Sequence, residues 1–357
     1  MQKLAKWSTI ALLPVALIAL LVRSITFHPP ALQNEAVVNQ PNAPILQRGQ
    51  NVKVLSWNLQ YMAGKNYEFW YDRADNSGPD IRPTATDITQ TFAAVSDLIT
   101  QHNPDIILLQ ELHDNAKRTD YEDQLQRLLT VLPQSYANHS ETFYWKADFV
   151  PLPQIMGSVG MKLAVISKYQ LGYAIRHQLA TTKTDPITDA FNFRHAIQEV
   201  VMPVAEGSSI TIMNTHFKAF SQNFDTIQKQ VTYLEKLLHD KNAAGETWLI
   251  GGDFNLLPPG QYFTLPDEHR SHYQPISAFE RIYEQFNVIP SLQHLAQSDG
   301  KDWFTHFPNH YKATAPDRTI DYFIYSDDIP VDQAQVLQKN TWHISDHLPM
   351  LITFQVP

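Results

Sequence analysis

Trp248-Leu249-Ile250-Gly251-Gly252-Asp253-Phe254-Asn255 is the stretch on which the reading of this chain turns. An apolar run that stops at two glycines predicts a buried strand ending in a turn. Side chains two apart on an extended segment point the same way, so Asp253 and Asn255 are expected to emerge together. The glycines are expected to let a ligand approach the backbone there. A carboxylate that holds or polarises a water, beside an amide that donates to an anionic oxygen, suits attack on phosphorus. Taken alone, the pattern fits a plain strand-to-turn junction about as well.

Three other stretches break that tie. Val52-Lys53-Val54-Leu55-Ser56-Trp57-Asn58 alternates and ends on Asn, while Pro104-Asp105-Ile106-Ile107-Leu108-Leu109-Gln110-Glu111 is an apolar strand that ends on an acid. Ile344-Ser345-Asp346-His347-Leu348-Pro349 sets Asp-His just ahead of a last strand. Asn214-Thr215-His216 and Arg318-Thr319-Ile320-Asp321-Tyr322 fall between them. As an ordered set over roughly residues 51 to 357, these patterns resemble the endonuclease/exonuclease/phosphatase superfamily. That group includes deoxyribonucleases, apurinic endonucleases, neutral sphingomyelinases and inositol polyphosphate 5-phosphatases. The resemblance implies a four-layer α/β sandwich, two mainly antiparallel sheets packed face to face with flanking helices.

A phosphodiester resists hydrolysis because negative oxygens screen its phosphorus, and a divalent cation relieves that. Glu111 is the first candidate ligand, with Asn58 beside it and Asp346 as a further carboxylate. Oxygen donors suit Mg2+, with Mn2+ also possible. His347 is the candidate proton-transfer or charge-stabilising group, because imidazole titrates near neutrality. The resemblance implies that Asp321 fixes the tautomer of His347, that Asp253 orients the attacking water with Asn255 on a phosphate oxygen, and that His216 donates to the same phosphate. Relatives often carry an arginine near the position of Arg194, which makes it a candidate phosphate contact.

The chain has 357 residues, enough for a large core, and no cysteine, which excludes disulfides and thiolate metal sites. Lys3 and Lys6 precede an uncharged apolar run from Ser8 to Val22, closed by Arg23. Residues 1–23 therefore read as a signal-anchor or a signal peptide, with the remainder exported to a periplasmic or extracellular space. Residues 24–50, with Pro29, Pro30, Pro41 and Pro44, read as a linker. The catalytic domain is then 51–357. It holds 23 basic and 35 acidic residues, a formal charge of −12, unlike a surface built for indiscriminate polyanion binding.

Helical spacing predicts amphipathic helices through Ile88, Phe92, Val95 and Ile99, and through Ile227, Val231, Leu234 and Leu238. Residues 61–83 form an aromatic loop, either packed on the domain or a substrate platform. Leu109 stands where deoxyribonuclease-like members can carry a tyrosine, and no tryptophan precedes Asp317-Arg318 as it does in the 5-phosphatases. The expected function is a membrane-tethered phosphodiesterase acting on lipid headgroups or small phosphodiesters, with an extracytoplasmic nuclease as the alternative. A catalytically silent binding module would have lost residues among Glu111, Asp253, Asn255, Asp321 and His347, and all are present. The substrate and, through the N-terminal segment, a membrane are the expected partners; no protein partner is expected.

Overall fold

Alternating branched and aromatic residues form strands throughout this chain, and they assemble into two sheets. The computed structural model describes residues 14 and 16–357, apart from 74, 76, 220–223, 310 and 311. One seven-stranded sheet has the order β13 (Val331–Val336), β14 (Met350–Gln355), β3 (Asn51–Asn58), β4 (Ile106–His113), β6 (Gly157–Ser167), β5 (Asn138–Val150) and β2 (Val37–Val38). The other, also of seven strands, has the order β1 (Leu32–Glu35), β7 (Tyr173–Gln178), β8 (Ala196–Pro203), β9 (Ser209–His216), β10 (Thr247–Asp253), β12 (Asp321–Tyr325) and β11 (Asn287–Ile289). Pairing is antiparallel except between β3 and β4 and between β9 and β10. The two parallel pairs lie near the middle of each sheet, and their four C-terminal ends carry Asn58, Glu111, His216 and Asp253.

The sheets meet through Val54, Ile106, Leu108 and Val165 on one side and Val200, Ile212, Leu249 and Phe323 on the other. Helices α1 (Ala85–His102) and α2 (Gln124–Val131) bury Ile88, Phe92, Val95, Ile99, Leu125 and Leu128 against the outer face of the first sheet. After the short α3 (Pro186–Phe191), α4 (Phe224–Ala243) buries Ile227, Val231, Leu234 and Leu238 on the outer face of the second. Each such side chain contributes roughly 1.5–3 kcal/mol through removal from water. The four-layer expectation holds.

Between the sheets, directly below the strand ends, sits a buried amide pair. The Gln110 amide donates to Asn214 Oδ1 at 2.7 Å, and Asn214 donates to the carbonyls of Leu109 and Ala164 at 2.9 and 3.0 Å. These bonds fix the register of one sheet on the other, which explains why amides stand just before Glu111 and His216.

The two glycines serve a purpose other than the one expected. A Cβ at Gly252 would lie 2.1 Å from the Thr215 carbonyl oxygen, and one at Gly251 would lie 2.5 Å from the Phe323 ring. They admit neighbouring protein, not a ligand. Gly252 also has φ +147, which side chains rarely adopt. Gly252→Ala is therefore expected to cost more than about 2 kcal/mol of unfolding free energy in a denaturant titration, since backbone cannot move aside as a side-chain tip can.

Residues 24–50 were expected to be a linker outside the domain, but two of its runs join the sheets. β1 pairs with β7 and β2 pairs with β5, so one strap covers the edges of both sheets on the same side of the sandwich. Leu46, Leu171 and Val204 then bury together. The prolines suggested a spacer, but they flank two short strand-forming runs that satisfy otherwise open sheet edges. Helix covers residues 16–25, and no helix among the described residues is long and apolar enough to cross a membrane. Residues 1–13 and 15, which make up most of the expected anchor or signal, lie outside the described residues.

Candidate active site

Above the parallel strand ends lies a cleft of about 640 Å³. The backbone bends sharply where it reaches this cleft. Glu111 has φ +58 at an irregularity in the β4–β6 register, so a bulge turns its carboxylate into the opening. Gln60, Tyr61 and Met62 follow Asn58 with φ between +42 and +60, and Asn255 has φ +52. Such left-handed positions persist only where surrounding structure holds them.

Asp253 is the junction of the site. Its Oδ2 accepts from Asn58 Nδ2 at 3.0 Å and lies 3.4 Å from His216 Nε2 and 3.5 Å from His347 Nε2. Its Oδ1 accepts from the Asn255 N–H at 2.9 Å. On the far side of the ring, His347 Nδ1 bonds to Asp321 Oδ2 at 2.9 Å. Thr305 Oγ1 accepts from the Asp321 N–H, and the Trp57 indole donates to the His347 carbonyl at 2.8 Å. The imidazole is thus held in the chain Asp321, His347, Asp253.

Burial alone would lower the pKa of His347, but Asp321 and then Asp253 raise it well above its usual value, so the ring is a cation. His216 differs: burial, with His195 and His347 nearby, holds it well below. It is neutral, and its Nδ1 meets the Tyr144 hydroxyl at 3.1 Å. If the hydroxyl donates there, Nε2 carries the proton toward the cleft.

The acids show the strain of an anionic site. Burial and then repulsion from Asp346 push Glu111 up to about 7. Burial raises Asp346 as well, and raises Asp253 despite the opposing charge of His347. Gln60 donates to Asp346 Oδ2 at 3.0 Å while its own buried Oε1 has no partner. Crowded, half-buried carboxylates with raised pKa values and an unpartnered oxygen beside them fit a hard divalent cation. Glu111 and Asp346 are the residues suited to hold it. A second cluster, His306 with Asp346 and His347, also brings donor atoms within 4.8 Å of one another. The Asp253, Asp321 and His347 cluster is equally close, but its closeness follows from the His347–Asp321 hydrogen bond and the His347–Asp253 ion pair.

This electrostatics sets a sign for metal-free stability. Glu111 and Asp253 have raised native pKa values, so their contribution is complete below the unfolded values and is lost as pH rises through the native ones. The buried histidines held low, His216 and His195, act in the opposite direction, but only below about pH 7, where the unfolded chain protonates them. Between about pH 7 and 8.5 the raised groups, the two carboxylates and His347, all lose stability as pH rises. In EDTA the thermal midpoint is expected to fall across that window, and saturating Mg2+ is expected to flatten the decline.

Not every expected site residue sits as expected. Arg194 turns away: its guanidinium bonds to the Asp189 carboxylate at 3.0 Å and the Asp189 carbonyl at 2.8 Å, on α3. A nearby acid and carbonyl outcompete a cleft that carries acids deeper in, and Arg318, Arg118 and Lys218 line the cleft instead. Asn58 directs its NH2 to both Glu111 (3.0 Å) and Asp253, while its oxygen takes the Gln60 N–H at 3.0 Å. It therefore joins the two acids as a donor, where an oxygen ligand was expected. Asn255 lines the cleft but spends one amide hydrogen on the Phe217 carbonyl at 3.1 Å.

Several contributors escaped the sequence reading. Tyr144 and His306 sit outside any motif, and nothing local marks them. Arg318 stood inside the quoted Asp321 motif, and it is held by Asp317 at 2.7 and 2.8 Å. The aromatic loop does two jobs. Tyr67 and Phe69 pack with Tyr144 and Leu163, whereas Trp70 and Tyr71 line the cleft, and Lys65 ties the loop to the carbonyls of Phe307 and Pro308 at 2.7 and 2.8 Å. A stack in which Trp145 and Phe193 lie 4.3 Å apart, with His195 next at 5.3 Å, also lines the cleft.

Two mixed sheets thus deliver acids, imidazoles and amides to one cleft. The chain belongs to the endonuclease/exonuclease/phosphatase family, whose model matches residues 55–347, a family of metal-dependent phosphoesterases and nucleases. Among solved structures it is similar to an endonuclease/exonuclease/phosphatase from Beutenbergia cavernae DSM 12333, at 18% identity and TM-score 0.59, covering 86% of this chain and 72% of that one. It is also similar to the human nocturnin catalytic domain with bound sulfate anion, at 19% identity and TM-score 0.53, covering 90% and 97%. A family protein from Leptotrichia buccalis C-1013-b matches at 15% identity and TM-score 0.54, covering 85% and 99%. No curated protein matches the sequence significantly.

Proposed function

We propose that this protein is an exported, membrane-tethered, Mg2+-dependent phosphodiesterase acting on lipid headgroups or other small phosphodiesters. The observation that carries the hydrolytic part is Asp253, set between a neutral and a cationic imidazole at 3.4 and 3.5 Å. When bound, the cation neutralises phosphate charge and polarises the P–O bond under attack. Asp253 orients the incoming water and takes its proton, a role that a raised carboxylate pKa favours. His347 stabilises the charge that develops on the phosphoryl oxygens, with Asp321 fixing its ring. His216 donates from Nε2 to a phosphate oxygen, and Tyr144 fixes its tautomer. The products are a phosphomonoester and an alcohol.

The substrate preference rests on a mixed polar and aromatic cleft, on the acidic balance of the domain and on the apolar N-terminus. A nuclease is the second reading, favoured by the Trp145, Phe193 and His195 stack, since aromatic faces accept bases. The test incubates the full chain and Mg2+ with phospholipid and sphingomyelin vesicles, plasmid DNA and single-stranded RNA, with His347→Ala as the blank. Hydrolysis of vesicle lipid is expected. Cleavage confined to nucleic acid would overturn the lipid preference and leave the hydrolytic chemistry intact.

A further inference from the structure

We infer that the β5–β6 hairpin docks into a lipid bilayer and sets the cleft facing it. This rests on the membrane-tethered reading above. Trp145 and His113 both lie opposite Met161, so residues 146–156 extend beyond the end of β4, on the cleft side. The hairpin tip supplies Pro153, Gln154, Ile155 and Met156 to the cleft wall. Its outward side is apolar and wet: Phe149 is 41% exposed and Leu152 51%. Ile81 and Tyr121 are exposed nearby, beside the Arg82–Asp120 and Arg118–Asp80 pairs. Exposed apolar side chains clustered on a projecting tip mark an interaction surface.

What says that a bilayer covers this tip is the path of the N-terminus. Thr26 bridges to Ala147 within the projecting part of β5, and from there the chain descends through β1 and β2 toward the opposite end. The segment before Thr26 therefore joins the domain at the hairpin. It is helical over residues 16–25, with Leu17, Ile18, Leu20 and Leu21 each more than half exposed. Two apolar surfaces, one continuous with the expected anchor and one at the cleft mouth, meet at the Thr26–Ala147 bridge. Lys117, whose ammonium donates to the Met156 carbonyl at 2.8 Å, stands behind the tip where anionic headgroups would lie. A bilayer that accepts the anchor accepts Phe149 and Leu152 beside it, as interfacial segments do.

The absence of native cysteine makes the test direct. Single variants Phe149→Cys, Leu152→Cys and Ser208→Cys of the full chain are labelled with an environment-sensitive fluorophore. They are mixed with vesicles of phosphatidylcholine and phosphatidylglycerol and floated. Ser208 is exposed in the β8–β9 turn at the opposite end of the sandwich. Labels at 149 and 152 are expected to shift to the blue and to be quenched by brominated lipid, while the label at 208 stays aqueous. In a parallel assay, Phe149→Ser with Leu152→Ser is expected to lower turnover on vesicle lipid about tenfold and to leave turnover on bis(4-nitrophenyl) phosphate unchanged. Flotation with all three labels aqueous would overturn the docking and keep the tether. No flotation would overturn both, whereas docking without lipid hydrolysis would keep this inference and overturn the substrate reading.

Discussion

His347→Ala is expected to lower kcat by about a hundred- to ten-thousand-fold, the range general acid–base groups supply. Its surroundings raise the pKa of this ring well above the usual value, and it faces Asp253 at 3.5 Å with Asp321 fixed behind it. Removing it takes away the donor aimed at the phosphate and leaves two buried acids facing each other, so some stability falls with it. Two further measurements separate these effects. His347→Gln keeps volume and a donor and is expected to fold with a smaller stability loss, yet still to lack the cation. Asp321→Asn keeps the ring but sets an amide N–H where Nδ1 would donate, and is expected to reduce kcat with KM little changed. Near-wild-type rates in both would remove His347 from the reaction.

Glu111→Gln carries the second large effect, and its two consequences have opposite signs. Loss of the ionised oxygen is expected to abolish the Mg2+-induced rise in thermal midpoint and to lower turnover by more than about a hundredfold. In EDTA at about pH 8, the same variant is expected to be at least as stable as the wild type. The wild-type carboxylate, raised to about 7 by burial and by Asp346, must ionise there without a counter-ion. A glutamine can still accept from Asn58 and keeps its shape at the φ +58 bulge. A destabilised metal-free variant that still responds to Mg2+ would place the cation elsewhere, with the His306, Asp346 and His347 cluster as the next candidate.

The stretches carrying Asn58, Glu111, His216, Asp253 and Asp346-His347 were legible because four are apolar runs that reach a polar side chain and the fifth sets its pair just ahead of the last strand. Their convergence was legible only as an ordered set that resembles a family. The helices were legible from spacing, since Phe92 and Val231 face a sheet and repeat at helical period. What pattern could not supply was orientation. Asn58 and Asn255 look like free amides in the sequence, but backbone groups at Gln60 and Phe217 claim part of each. Arg194 looks like a phosphate ligand until α3 sets Asp189 beside it. The strap over 32–38 hides among prolines because its pairing partners lie more than a hundred residues away. Tyr144 is an inward-facing strand residue like many others, and only the fold places it on His216.

The most direct measurement is hydrolysis of bis(4-nitrophenyl) phosphate by the full chain, stripped with EDTA and then titrated with Mg2+ at about pH 7.5. Turnover in EDTA is predicted to match the His347→Ala background, and added Mg2+ is predicted to restore it saturably, with Mn2+ as a substitute. Turnover that persists in EDTA, or a protein that binds Mg2+ with a raised thermal midpoint yet hydrolyses nothing, would contradict the account.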